Sequence, residues 1–588
     1  MDSTPAGGPS EITLKGGDEY PPEASLKLNG PPGTGKTTQL LERLTSLLDG
    51  DYTPRDIVFV TYRKEMAAEF LRRLHERGHI DEEEAEKPWK HDTRHFGTLH
   101  GVCNRITSDA AVVENKHRRD FMLSEYHAKY DGRGAEWDDN PSQSDPIGTM
   151  LFDAYDWCVE NKQHSFTRAP NFKEIRDKAI SPPSFQEFDE AWTQYKQDGD
   201  EDGKPLRDFA GMLREVDERD LRPRGDILIV DEYHDMTPIM ASICEGWMDD
   251  FETVIVGGDP LQAIYSYKGA DPSFFTDLDF PEVLLDRTYR VPSNIWNYSR
   301  SVIEHDPPSI EPDAAGGDVR AVDDDPHRVL DVYGEESVMF LARTQSQLHD
   351  IAQQLRERGI IFRSQDGIGG WNNSKTLLGL YNALQKIRNA RPLDNVNPKT
   401  GQTGMARFEQ SEVESNVRLP ENVSLEPSEA RVLIDKTPAG YFTNTKKSVR
   451  RFTKGADSVS GTDLLSRVEP SFWEDMTNGE GSVDHLLSYG AKDTLRSALS
   501  RNDRPYPVIE TAPVPDVLTI HASKGKEAET VALYDGIPGA VQRNISGDPH
   551  ERRAESRVWY VGCTRAAENL LVFRDQFDYV DPFLPSTA

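Results

Sequence analysis

Cysteine is scarce in this sequence, with Cys103, Cys158, Cys244 and Cys563 the only four among 588 residues. They lie far apart and match no metal-ligand spacing. They therefore offer neither a disulfide framework nor an iron–sulfur cluster, and a reducing cytoplasm is the expected compartment. Long apolar runs are missing as well. No stretch approaches the roughly 20 residues of a membrane-spanning helix, so no membrane association is expected. The first twenty or so residues, rich in Gly, Pro and Ser, read as a loose tail rather than a signal peptide.

Positive charge is also short: 68 Lys and Arg face 101 Asp and Glu, a net charge of −33. Taken bluntly, that balance argues against a polyanionic partner. The acid is spread along the chain, however, with only local clusters ("DEEEAE" from Asp81, "DDD" from Asp323), and lysine is scarce beside arginine. A diffuse, lysine-poor acidic surface suits a salt-loaded cytoplasm, where charges are screened over about 3 Å near molar salt. The composition points to a halophile, and nucleic acid stays open as a partner.

The length calls for roughly three to five domains. Apolar β-rich runs alternate with helical periodicity, the pattern of parallel α/β layers. Strands are expected in Asp56–Tyr62, Asp226–Glu232 and Thr253–Asp259, and again in Ser337–Arg343, Asp516–Ser523 and Asn569–Phe573. Residues 113–221 are polar, spotted with aromatics and helix-leaning. Residues 390–512 carry many Asn, Pro, Ser and Gly. Each reads as an insertion into an α/β core.

"LNGPPGTGKTTQLLERL", from Leu28 to Leu44, fills the pattern G-x-x-x-x-G-K-[ST] at Gly30, Gly35, Lys36 and Thr37. An apolar run enters it and an amphipathic run leaves it. That strand–loop–helix setting is what phosphate binding needs, because backbone N–H groups at a helix start must wrap the phosphates. Lys36 would reach the β- and γ-phosphates, and the Thr37 hydroxyl would hold Mg²⁺. In "ILIVDEYHDMTP", Asp231 and Glu232 leave an apolar strand together. A nucleotide hydrolase needs one carboxylate for hydrated Mg²⁺ and another to deprotonate the attacking water. "VGGDPLQAIYSYKGAD" offers Gln262 as a γ-phosphate sensor, then Tyr265, Tyr267 and Lys268; "LDRTYRVPSNIW" sets Tyr289 beside Arg290. "ESRVWYVGCTRAAENLLVF" puts Arg565 on an expected helix, within arginine-finger reach of a phosphate.

With these segments in this order, the chain resembles the UvrD/Rep-type helicases of superfamily 1. "VFVTYRKEMAAEFLRRL" and "RHFGTLHGVCNRI" are similar to the family's next motifs, Leu99 standing where an aromatic is usual. "LTIHASKGKEAETVAL" is similar to a late one. The resemblance implies two RecA-like P-loop NTPase cores, each interrupted by an accessory subdomain. The first core is residues 1–112 with 222–290, and its insertion 113–221. The second is 291–389 with 513–588, and its insertion 390–512.

By position, the resemblance gives Gly30, Gly33, Thr34, Gly35, Lys36, Thr37 and Thr38 to the nucleotide phosphates and Thr37 and Asp231 to Mg²⁺. Glu232 becomes the general base, with Gln262, Arg290 and Arg565 at the γ-phosphate. Tyr289 would stack on the base of ATP, and Gly525 and Glu527 would close the site, Glu527 through the ribose. Tyr62, His100, Tyr265, Tyr267, Lys268 and His521 fall where the family meets single-stranded DNA. The sequence departs from the pattern in three further places. No Gln precedes Gln39 to read adenine, His234 replaces a Gln after the carboxylate pair, and Tyr267 replaces a Trp. The expected activity is ATP-driven 3′→5′ movement on single-stranded DNA with duplex separation at single/double-strand junctions, alongside unidentified replication or repair proteins. A DNA-bound ATPase switch without unwinding and an RNA-directed helicase are the alternatives.

Overall fold

The computed structural model describes residues 20–107, 109–131, 146–178, 181–200, 202–304, 307–322, 325–335, 337–358, 374–389, 423–437, 514–574 and 580–586, with short pieces at 360, 362–364, 367–368, 440, 442–443, 458–465, 467–469 and 577. The N-terminal tail and most of the 390–512 insertion lie outside the described residues. The chain divides into two compact units. One takes in Met1–Arg320, Gly536–Leu570 and Asp578–Ala588, the other Ala321–Asp535 and Leu571–Phe577.

The first unit is organised by a six-stranded sheet in the order Phe96–Thr98, Ile57–Thr61, Ile227–Val230, Thr253–Gly258, Leu26–Asn29, Glu282–Leu284. Every pairing is parallel. Strands such as "IVFVT" and "ILIV" are buried at every position. Helices cover both faces of a parallel sheet, so its strands read as continuous apolar runs rather than as alternation. All carboxyl ends point the same way, and ligands of such sheets gather there. Along that edge the strand order lays out the phosphate loop, then Asp259, then Asp231 and Glu232, then Tyr62, then the turn into His100.

The insertion in this unit is helical, with Asn115–Tyr126, Ile147–Glu160, Phe172–Lys178, Phe185–Asp198 and Phe209–Arg219. Its core is aromatic: Trp192 lies 4.8 Å from Phe121 and 4.9 Å from Phe152, ring centre to ring centre. Ser184 and Glu187 form a capping box that starts the helix carrying Trp192. Removing a buried Trp of this kind costs about 3–5 kcal/mol.

This unit also takes in Ser293–Val302 and the long helix Pro549–Cys563, which the sequence division had assigned to the second core. Trp296 packs 6.2 Å from Tyr560, and the Arg557 Nε donates to the Ala263 carbonyl at 2.8 Å.

In the second unit Val338–Ala342 lies between Asp516–Thr519 and Ala528–Tyr534, parallel to both, within a seven-stranded sheet. Arg363 pairs with Asp516, and a short antiparallel turn joins Arg363–Ser364 to Gly367–Ile368. The α/β class with two parallel multi-strand sheets agrees with the sequence expectation, and the six expected strands are present. Two strands of the first sheet, Phe96–Thr98 and Glu282–Leu284, were not foreseen; each is only 3 residues long and carries no periodic signal.

Candidate active site

The phosphate loop is held from both ends. The Gly30 N–H donates to the Gly258 carbonyl at 2.9 Å, and Thr34 bonds back to the Pro31 carbonyl through its N–H (3.2 Å) and hydroxyl (2.8 Å). A Cβ on Gly30 would sit 2.6 Å from the Lys36 Cβ, so only glycine lets the lysine fold back over the loop. Gly35 has φ +80° and caps the helix Lys36–Leu48 without a side-chain oxygen. The first helical N–H groups are thus left to an incoming anion. Thr37 and Thr38 stand half-buried in that first turn.

Lys36 is buried, its Nζ 2.7 Å from Glu232 Oε1 and 3.2 Å from Asp231 Oδ1. Burial alone would lower its pKa, but the two carboxylates outweigh that and hold it above its ordinary 10.5. Asp231 ends its strand, its N–H on the Val60 carbonyl at 2.9 Å. Burial pushes its carboxyl upward, with Lys36 opposing. Asp231 Oδ2 is buried without a hydrogen-bond partner. A buried carboxylate oxygen left without a hydrogen bond suits a hydrated Mg²⁺, so Asp231 fits the ion. Glu232 adopts a left-handed backbone, φ 57°, and donates its N–H to Asp231 Oδ1 at 2.8 Å. A non-glycine residue held there carries strain of order 1–3 kcal/mol.

A series of polar contacts continues from Glu232. His234, wholly buried, has Nε2 3.2 Å from Glu232 Oε2. Its Nδ1 accepts the Asp259 backbone N–H at 2.8 Å. Asp259 Oδ2 accepts from Gln262 Nε2 at 2.7 Å, and Gln262 Oε1 accepts from Arg565 Nη2 at 3.0 Å. Burial raises the Asp259 carboxyl to about 6, Gln262 opposing.

The sequence pattern predicts Arg565 on a helix, but the structure places it outside one. The helix stops at Cys563, and Arg565 follows in the turn. Its Nε donates back to the Val561 carbonyl at 3.0 Å, satisfying an acceptor the helix end leaves open and aiming the guanidinium at Gln262.

Tyr289 donates its N–H to the Gly33 carbonyl at 2.9 Å, and a Cβ on Gly33 (φ +75°) would lie 2.6 Å from the Arg290 Cβ. Both residues therefore border the loop, with Tyr289 65% exposed. Gly525, Glu527 and His521 belong to the other unit, in and after the turn that follows Asp516–Thr519. Gly525 has φ +84°, Glu527 is exposed and His521 is buried.

Tyr62 and Tyr265 stack with ring centres 5.7 Å apart, and Tyr265 meets Tyr267 edge-on at 6.2 Å. Lys268 Nζ lies 5.3 Å from the Tyr265 ring centre. Tyr265 is buried beneath this group, leaving Tyr62, Tyr267 and Lys268 as the half-exposed ledge. A cavity of about 520 Å³ adjoins it, lined by Tyr62, His100, Trp157, Glu160, Phe209 and Lys268 among others. Burial and Lys268 push His100 down to about 4, so it is neutral near pH 7. Burial pushes Glu160 up to about 7, Lys268 opposing.

The helical insertion reaches the ledge directly. Trp157 Nε1 donates to the Tyr267 carbonyl at 3.0 Å, and Asn161 Nδ2 to the Lys268 carbonyl at 2.8 Å. A Cβ on Gly269 would fall 1.8 Å from Asn161 Oδ1. Sequence reasoning missed Trp157, Glu160, Asn161 and Asp259. Only Asp259, an acid closing an apolar strand, carried a signal that could have found it.

A phosphate loop on a parallel sheet, with a lysine-bound carboxylate pair following another strand of the same sheet, defines the class: a P-loop nucleotide hydrolase with RecA-like cores, and the chain is an ATP-hydrolysing enzyme. Residues 20–280 match the UvrD/REP helicase N-terminal domain. The chain is similar to the ATP-dependent DNA helicase PcrA of Staphylococcus epidermidis, 22% identical over 629 aligned residues that cover 94% of this chain and 81% of the relative. It is also similar to the ATP-dependent DNA helicase UvrD2 of Mycobacterium bovis (25% identity, 63% of this chain, 51% of the relative) and to DNA helicase II of Escherichia coli (24%, 48% and 39%). These matches support a helicase of the UvrD type.

Proposed function

We propose that this chain is an ATP-dependent DNA helicase that travels 3′→5′ on single-stranded DNA and separates duplex at single/double-strand junctions. One observation carries the reading. The Lys36–Asp231–Glu232 cluster and the Tyr62–Tyr265–Tyr267–Lys268 ledge occupy adjoining strand ends of one sheet. The relatives named as DNA helicases support it.

In this reading the backbone of Gly30, Gly33, Thr34, Gly35 and Thr38 cradles the phosphates, and Lys36 neutralises them. Thr37 and Asp231 would hold Mg²⁺, which supplies positive charge at the phosphate oxygens. Glu232 takes the proton of the attacking water. Gln262, Arg290 and Arg565 meet the γ-phosphate, and Tyr289 stacks on the nucleotide base. Gly525 and Glu527 complete the nucleotide site, and His521 joins the DNA contacts. The core and insertion boundaries at 112/113, 221/222, 290/291, 389/390 and 512/513 belong to the same proposal, as do a halophilic source and a cytoplasmic location. The acidic surface leaves stacking, about 1–3 kcal/mol per base, as the main grip on DNA.

The test is strand displacement from 3′-tailed and 5′-tailed duplexes at molar KCl with Mg·ATP. Displacement from the 3′-tailed substrate alone is expected. DNA-stimulated ATPase with no displacement from either would replace the helicase with an ATPase switch, and stimulation by single-stranded RNA alone would redirect it to RNA.

A further inference from the structure

We infer that His234 is a positioning residue for hydrolysis, its imidazole holding the Glu232 carboxylate and the Asp259–Gln262 turn in one fixed relation. The inference rests on the reading of Glu232 as general base. The Asp259 backbone N–H donates to Nδ1 at 2.8 Å, so that nitrogen is the acceptor. The ring proton is therefore on Nε2, which faces Glu232 Oε2 at 3.2 Å and Asp235 Oδ1 at 3.6 Å. The carboxyl and imidazole atoms of Glu232, His234 and Asp235 lie within 4.8 Å of one another. With its proton on Nε2, His234 can donate to Glu232 Oε2, and Nε2 is then no metal ligand.

The two oxygens of Glu232 then have separate tasks. Oε2 is tied to His234, while Oε1 rests on Lys36 at 2.7 Å. Phosphates that draw Lys36 away would leave Oε1 aimed at water and Oε2 still anchored. On the other side of the ring, Asp259 holds Gln262, and Gln262 accepts from Arg565. A displacement at Gln262 and Arg565 thus reaches the base through one peptide and one ring. A glutamine side chain also presents one acceptor and one donor and could span the same gap, but with one more side-chain torsion to freeze. The imidazole is the stiffer spacer.

The test measures ATPase of the full chain, with and without single-stranded DNA, for His234→Leu, His234→Gln, Glu232→Gln and the double variant His234→Leu/Glu232→Gln, each checked by thermal melting. His234→Leu should lower kcat by about tenfold to a hundredfold with KM for ATP within about threefold, since small misplacements near the chemistry cost about that much. His234→Gln should restore most of kcat, and the leucine effect should vanish in the Glu232→Gln background because the two residues act as one unit. A leucine variant within about twofold of wild type, or a folded glutamine variant as slow as about a tenth of wild type, overturns the inference. Should the leucine variant fail to fold, the glutamine variant decides alone. Wild-type turnover by Glu232→Gln would strike the general-base reading itself; an inert Glu232→Gln beside a fully active His234→Leu strikes only the role given to His234.

Discussion

The hydrolytic cluster and the aromatic ledge share one sheet edge, yet they are built by opposite means. Lys36, Asp231, His234, Asp259 and Arg565 are buried, and each is tied to a named partner across 2.7–3.2 Å. The ledge is half-exposed and held by one stacked and one edge-on ring contact, centres 5.7 Å and 6.2 Å apart, with a lysine over one ring. Phosphate chemistry rewards fixed geometry, because a near-attack arrangement supplies about 7–11 kcal/mol of the barrier. Base stacking tolerates change, since every base has a π-face. Substitutions in the cluster should therefore act on rate, and those in the ledge on affinity.

The largest contrast should come from the carboxylate and the lysine. Glu232→Gln is expected to retain nucleotide binding and lose about 10²–10⁴-fold in kcat. Lys36→Ala should abolish ATPase by removing the charge that meets the phosphates. Nucleotide binding by fluorescence titration and phosphate release measured together check both; a tenth of wild-type rate in Glu232→Gln would break the division.

On the ledge, Tyr267→Ala should weaken single-strand binding by roughly 1–3 kcal/mol at any salt, whereas Lys268→Ala should matter only at low salt. Titration of labelled single strand from low to molar KCl separates them. A salt slope as steep as six or more phosphate contacts, about −0.7 each, would place the grip on charge instead. A smaller factor concerns the nucleotide base. Tyr289 is 65% exposed beside the loop, and no glutamine precedes Gln39. GTP should therefore support a substantial fraction of the ATP rate, and a preference for ATP of about 10³ or more in kcat/KM would show that another group reads adenine.

The smallest effect is a stability one. Glu160 sits beside the ledge with its carboxyl raised from 4.5 to about 7 by burial. The folded chain thus binds this proton more tightly than the unfolded chain. The contribution is fully present below about 4.5 and is lost as pH rises through about 7. Glu160→Gln should therefore raise the melting temperature by a few degrees at pH 8.5 and by less at pH 6. Equal shifts at both would deny the buried carboxyl its part.

The same contrast decides what could be read in the sequence. Lys36, Asp231 and Gln262 follow apolar strands at fixed spacing, because backbone turns and phosphates leave little freedom there, and the sheet strands announce themselves as apolar runs. Trp157 and Asn161 grip the ledge from a helix more than 100 positions away in the chain. Nothing local marks them, since a Trp and an Asn on a helix satisfy ordinary packing just as well. The position of Arg565 was off for a related reason. Helical periodicity runs through "ESRVWYVGC" and gives no sign of where the last turn gives way to strand.

Lys36 is clamped between Asp231 and Glu232. If Lys36 meets the phosphates as proposed, the carboxylates are the site's own stand-in for them, and nucleotide would arrive by exchange rather than by filling an empty charge. The gain from each new lysine–phosphate contact is reduced by the lysine–carboxylate contact it replaces. The same swap run backwards would help expel the product, since the carboxylates would reclaim the cation as the phosphate departs. A motor of the proposed kind, which must reset after every step, would be served by such a latch, since it would cap affinity and keep the cycle turning.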